Sequence, residues 1–128
     1  MFGNSQMGGL NLGFPDVCLT PPAMLPVPFP NISLGPLGFP PSPNVWWMCT
    51  PAHHLMTKPM MSMGDVPGVA GVASGTVMFM THHVTGAFTM LVNCLPATRM
   101  TSINIQNNTN CPGMTLVPAQ FRVLILSP

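Results

Sequence analysis

Gly75 to Arg99 reads GTVMFMTHHVTGAFTMLVNCLPATR, and its closing turn, Cys94-Leu95-Pro96-Ala97, has an earlier counterpart in Val45-Trp46-Trp47-Met48-Cys49-Thr50-Pro51-Ala52-His53. Cys94 follows Cys49, Pro96 follows Pro51 and Ala97 follows Ala52 at the same interval of 45 residues. An apolar run precedes each turn, Val45 to Trp47 in one copy and Met90 to Val92 in the other. A strand and turn is thus used at least twice. A fainter third copy runs Cys18-Leu19-Thr20-Pro21-Pro22-Ala23. Three such units in a small chain predict a body of pseudo-threefold form.

Working outward, β-branched and aromatic residues mark strands at Thr76 to Met80 and Ala87 to Val92, with Gly86 as a bend between them. Further short strands are expected at Asn44 to Met48, Ser102 to Gln106 and Gln120 to Leu126. Met56 to Gly71 reads as loop from its Pro and Gly, and Asn107 to Asn110 from its amides. Residues 14–43, FPDVCLTPPAMLPVPFPNISLGPLGFPPSP, are dense in proline yet apolar, which predicts an extended strip wrapped over a hydrophobic body rather than a free tether. Residues 1–13, rich in Gly, Asn and Met, read as a flexible N-terminal arm, leaving 14–128 as the domain. Helical periodicity free of Gly and Pro never lasts much beyond about ten residues. The expected fold is mostly β, a small single-domain cone of short strands and loops with pseudo-threefold character.

The chain has 128 residues, enough for one ordinary domain. Only 4% are charged, and the charged residues are Asp16, Lys58, Asp65, Arg99 and Arg122, giving a net charge of +1. Soluble domains average about a quarter charged. Nucleic acid is excluded as a partner, because neutralising phosphates takes several clustered Lys or Arg. Pro recurs too often through residues 17–57 for a membrane-spanning helix. The first thirteen residues carry no basic region and no continuous apolar core, so no secretory signal is expected.

The histidines form two adjacent pairs, His53-His54 and His82-His83, and the cysteines stand alone at 18, 49, 94 and 111. Neighbours on a strand face opposite ways. One His from each pair with two thiolates would make the tetrahedral His₂Cys₂ set that zinc favours. Cys111, in Asn110-Cys111-Pro112-Gly113, is the thiol best placed to be aimed by a turn, whereas Cys49 and Cys94 suit small buried packing positions. The other reading of these residues is plain polar strand and turn. Thirteen methionines with His and Cys also suit a copper-handling protein, although scattered Met reads more simply as adaptable core filler. An enzyme is not expected. Asp16 and Asp65 are the only carboxylate side chains, no group visibly activates a Cys-His pair, and GVAGVASG lacks the Lys of a phosphate loop.

Leu91-Val92-Asn93-Cys94-Leu95-Pro96-Ala97-Thr98-Arg99 resembles the signature of the proline-alanine-alanine-arginine (PAAR) repeat family, with Thr98 as its one departure and Pro51-Ala52-His53-His54 as a degenerate copy. Pro15-Asp16-Val17-Cys18-Leu19-Thr20-Pro21, Pro26-Val27-Pro28-Phe29-Pro30-Asn31-Ile32, Gly71-Val72-Ala73-Ser74-Gly75-Thr76-Val77-Met78 and Asn107-Asn108-Thr109-Asn110-Cys111-Pro112-Gly113 resemble its PAAR-like subgroup. The resemblance implies a non-enzymatic β cone, one copy of which caps a trimeric valine-glycine-repeat, β-helical spike protein of a type VI secretion system. It implies assembly in the bacterial cytoplasm, export by the apparatus, transient contact with a target membrane, and effector proteins as further partners. It also implies a zinc held by histidines and a cysteine, here His53, His83 and Cys111, with Cys18, His54 or His82 as the fourth ligand.

Overall fold

The computed structural model describes residues 1–126 and is mostly β. The strands are β1 (Leu10–Thr20), β2 (Leu25–Leu34), β3 (Gly38–Phe39), β4 (Trp46–Trp47), β5 (Thr50–Pro51), β6 (Lys58–Pro59), β7 (Ser62–Met63), β8 (Ala70–Gly71), β9 (His82–His83), β10 (Ala87–Val92), β11 (Leu95–Ala97), β12 (Ile103–Gln106) and β13 (Cys111–Val117). A 3-10 turn, Gly35–Leu37, follows β2. The largest sheet is antiparallel, runs β7-β2-β1-β13-β12-β9 with β8 also on β1, and curls into a half-barrel. Three two-stranded ribbons, β3–β6, β4–β5 and β10–β11, complete the body.

The repeat that opened the sequence reading is a pair of matched hairpins. In β4–β5 Trp47 pairs with Thr50, and in β10–β11 Val92 pairs with Leu95, so each loop has two residues. Met48 and Cys49 take φ of 51° and 64°, and Asn93 and Cys94 take 54° and 65°. Two successive positive φ values define the turn whose twist suits a tight hairpin. Trp47 and Val92, then Ala52 and Ala97, lie 45 residues apart and share one apolar core with Ala87 and Ile125. Cys49 and Cys94 are exposed at the turn tips, which corrects the expectation that they pack inside.

The proline-rich strip is a paired hairpin rather than a wrapping. Leu10 to Thr20 pairs along β2, and Pro26, Pro28 and Pro30 all point outward on the half of β2 that has β1 as its neighbour, β7 reaching only Ile32 and Ser33. Proline lacks the N–H that a second neighbour would need, so this edge accepts it. Pro15 sits where the β1–β2 register shifts, between Gly13 and Asp16. That irregularity reverses the alternation of the strand. Asn11 and Gly13 face inward before it, Asp16 and Cys18 after it.

Alternation along the main sheet is inverted relative to an ordinary half-buried sheet. Asn11, Asn31, Ser33, Asn104, Gln106 and Thr115 are buried, whereas Leu12, Phe14, Ile103, Met114 and Leu116 are exposed. Among the described residues nine apolar side chains are buried against twenty-one polar ones, so hydrogen bonds rather than a large oily core fill the interior. Thr115 Oγ1 donates to Asn11 Oδ1 at 2.6 Å, and Asn11 Nδ2 to Ser33 Oγ at 3.0 Å. None of the thirteen methionines is fully buried, against the expectation of core filler.

Other expectations also shift. Residues 1–13 form no free arm: Phe2 bridges Leu124, Gly3 bridges Arg99, Ser5 bridges Ala52, and β1 begins at Leu10. Thr76 to Met80 is irregular because its groups bond elsewhere; Thr76 Oγ1 donates to Asn107 at 3.0 Å, as does the Phe79 N–H at 3.3 Å. Gln120 to Leu126 contributes only the Leu124 bridge, although Ile125 N–H donates to the Met1 carbonyl at 2.7 Å. Cys111 begins a seven-residue strand rather than lying in a turn. Within the expected 56–71 loop, β6, β7 and β8 are short pairings.

Candidate functional site

The two carboxylate side chains of the chain meet. Asp16 and Cys18, two apart on β1 and therefore on one face, turn inward just after the register shift. Asp65 comes from the loop that follows β7. That loop is clasped to β1 by Val69 N–H to Leu19 carbonyl at 2.8 Å, Val72 N–H to Val17 carbonyl at 2.9 Å, and the pairing of β8 with Cys18 and Leu19. Gly68 permits the approach, since a Cβ there would stand 2.5 Å from Cys18 Cβ. Asp16, Cys18 and Asp65 are all fully buried.

Their ligand atoms lie within 4.8 Å of one another. Cys18 Sγ is 3.4 Å from Asp16 Oδ1 and 3.8 Å from Asp65 Oδ2. Three asparagines cage the group. Asn31 Nδ2 donates to Asp16 Oδ2 at 2.6 Å, Asn107 Nδ2 to Asp65 Oδ2 at 3.0 Å, and Asn110 Nδ2 to Asp16 Oδ1. Met78 N–H adds a bond to Asp65 Oδ2 at 3.1 Å. Asp65 Oδ1 is buried and has no hydrogen-bond partner. Burial first, then the field of Asp16, pushes the Cys18 thiol up to about 12. Burial likewise raises Asp65, with the Met78 N–H opposing it. Cys111 is pushed up to about 12 by burial and then by both carboxylates.

The imidazoles assemble elsewhere. His53 and His83 line one small cavity of about 10 Å³ together with Asn4, Asn11 and Thr115, room for about one water. His53 Nε2 bonds Gln6 Oε1 at 2.8 Å, while His83 Nδ1 is buried without a partner. Burial, then the neighbouring His83 and His54, lowers His53 to about 3. Burial, then His82, lowers His83 to about 4. His82 is half-buried and bonds Asn108 Oδ1 at 3.2 Å, and His54 lies beside Thr57 Oγ1 at 3.5 Å.

The four ligands expected from sequence therefore do not converge. His53 meets His83, while Cys18 meets Asp16 and Asp65; among the described residues that Asp-Cys-Asp group is the one set of three or more His, Cys, Asp or Glu placed to hold a metal. The reading from spacing missed both carboxylates, which it weighed only as catalytic acids. The available signal was that an almost uncharged chain places one of its two acids two residues from a cysteine.

A small antiparallel β body with a polar interior and a buried Asp-Cys-Asp group is the class that fold and site define. The family profile described as the toxin PAAR-like domain matches residues 9–113, and the chain belongs to that family. No curated protein and no solved structure matches it.

Proposed function

We propose that this chain is a non-enzymatic tip that caps the trimeric β-helical spike of a type VI secretion system. One copy sits on each trimer, is assembled in the bacterial cytoplasm, and leaves with the spike. Family membership over residues 9–113 gives the reading its base. The inverted sheet is the observation that carries it further. An exterior of Leu12, Phe14, Ile103, Met114 and Leu116, with a shallow apolar hollow of about 440 Å³ among them, offers area to bury against a stalk. The near absence of charge lowers the desolvation cost of contact with a target membrane. Force transmission asks for a body that does not deform, and a hydrogen-bonded interior braced by the Phe2–Leu124 bridge and the Met1–Ile125 bond meets that need. Zinc belongs to this reading as a rivet in the body and has no part in any reaction.

The test is export. In a bacterium with a working contractile sheath the tagged chain reaches the culture medium, and in a strain whose sheath cannot contract it stays in the cells. Equal release from both strains would exclude the role.

A further inference from the structure

We propose that Asp16, Cys18 and Asp65 are the ligands of one divalent cation of the zinc class, held between β1 and the loop after β7. The inference gives ligands to the zinc of the preceding reading and departs from the imidazole set implied by sequence. It does not need the spike-tip role.

Geometry comes first. A tetrahedral ion about 2.0 Å from a carboxylate oxygen and about 2.3 Å from a thiolate sulfur sets those two atoms roughly 3.5 Å apart. The observed sulfur-to-oxygen distances are 3.4 and 3.8 Å, one on either side of that value. Charge comes second. Both acids of the chain are fully buried side by side, and the donors that reach them, three amides, one backbone N–H and the Cys18 thiol itself, are neutral. Two buried carboxylates repel one another unless a proton or a cation lies between them.

The amides fix which atoms remain open. Asn31 Oδ1 accepts from Ile32 N–H at 3.1 Å, Asn110 Oδ1 from Ala73 N–H at 2.8 Å, and Asn107 Oδ1 from Phe79 N–H at 3.3 Å. A backbone N–H cannot serve as an acceptor, so the three amide groups cannot turn over, and each must present its NH₂ to the acids. They then act as the outer hydrogen bonds that orient ligating carboxylates. Of the four carboxylate oxygens they leave only Asp65 Oδ1 without a partner, while Asn110 Nδ2 also comes within 3.9 Å of Cys18 Sγ, so Asp16 would ligate through the second lone pair of an oxygen that already accepts an amide bond. Binding releases the Cys18 thiol proton to solvent and forms a sulfur–metal bond, so the bound ion offsets the cost that burial imposes on the thiolate. The ion also staples the loop bearing Asp65 to the sheet.

The probe is Co²⁺, titrated into the full chain purified without metal and carrying Cys49→Ser and Cys94→Ser, which removes the two exposed thiols. The expected result is one Co²⁺ per chain with a near-ultraviolet thiolate-to-cobalt band, displaced by Zn²⁺. Cys18→Ser abolishes the band, Asp65→Asn weakens binding at least tenfold, and His53→Gln with His83→Gln leaves both unchanged. Far-UV circular dichroism shows which variants fold, and Asp65→Asn decides the matter if Cys18→Ser does not. Binding without a thiolate band, or lost on His substitution and kept in Cys18→Ser or Asp65→Asn, would overturn the ligand assignment while leaving a bound zinc. No uptake by the folded chain would overturn both, and neither result bears on export with the spike.

Discussion

Ala97 and Ala52 mark the tightest points of the apolar core, each with no exposed surface and each beyond the tip of its hairpin. Ala97 pairs directly with Ala87, also fully buried. Replacing Ala97 by Val adds two methyl groups at a fully buried position, and should destabilise the chain by about 1–3 kcal/mol, read as a lower urea midpoint. The histidines give the second residue-scale expectation. Burial keeps His53 and His83 neutral in the fold, with values of about 3 and about 4 against 6.5 for an ordinary imidazole. Between about pH 4 and 6.5 the unfolded chain therefore binds more protons than the folded one, so stability falls as the pH drops through that window. Equilibrium unfolding at several pH values should show that slope, and His53→Gln should flatten it. A slope equal in both chains would mean that His53 is not held neutral by burial.

At the scale of elements, the matched hairpins were legible because both halves of the signal are local: an apolar run and a Cys-x-Pro-Ala turn. Their turns are strained by sequence, since three of the four loop residues, Met48, Cys49 and Cys94, are neither Gly nor Asn at positive φ. Cys49→Gly and Cys94→Gly should each stabilise the fold by about 0.5–1 kcal/mol, measured by thermal melting, because Gly meets positive φ without a Cβ penalty. A lower melting temperature in both would contradict the turn geometry. The first hairpin, β1–β2, was not legible as a pairing, because proline normally argues against strand and only the edge position makes it acceptable. Cys111 to Val117 was hidden in the same way by Pro112 and Gly113, whose place in the pairing is set by β1 and β12. One of the three candidate ligands could be seen, Cys18, which the sequence offered as one option for a fourth ligand. Asp65 could not, because its loop reaches β1 through backbone bonds that leave no mark in side-chain pattern. Gly68→Ala tests that clasp. Its Cβ meets Cys18, so the variant should lose stability, and an unchanged urea midpoint would show that the loop stands further off.

At the scale of the whole molecule, the main sheet turns its polar side chains in and its apolar ones out, so surface substitutions should separate fold from partner. Leu12→Ser with Met114→Ser lies on the outer face of β1 and β13. The pair should lower stability by about 1–2 kcal/mol each, without unfolding the chain, while raising solubility, because the two cross-strand partners keep 36% and 43% of their surface exposed. The same pair should weaken capture by the spike if that face is the seat. The most direct measurement for the account as a whole is the native mass of the chain co-expressed with a trimeric β-helical spike protein. The predicted mass is three spike chains plus one copy of this chain. A mass of the bare trimer, or of a trimer with three copies, would contradict it.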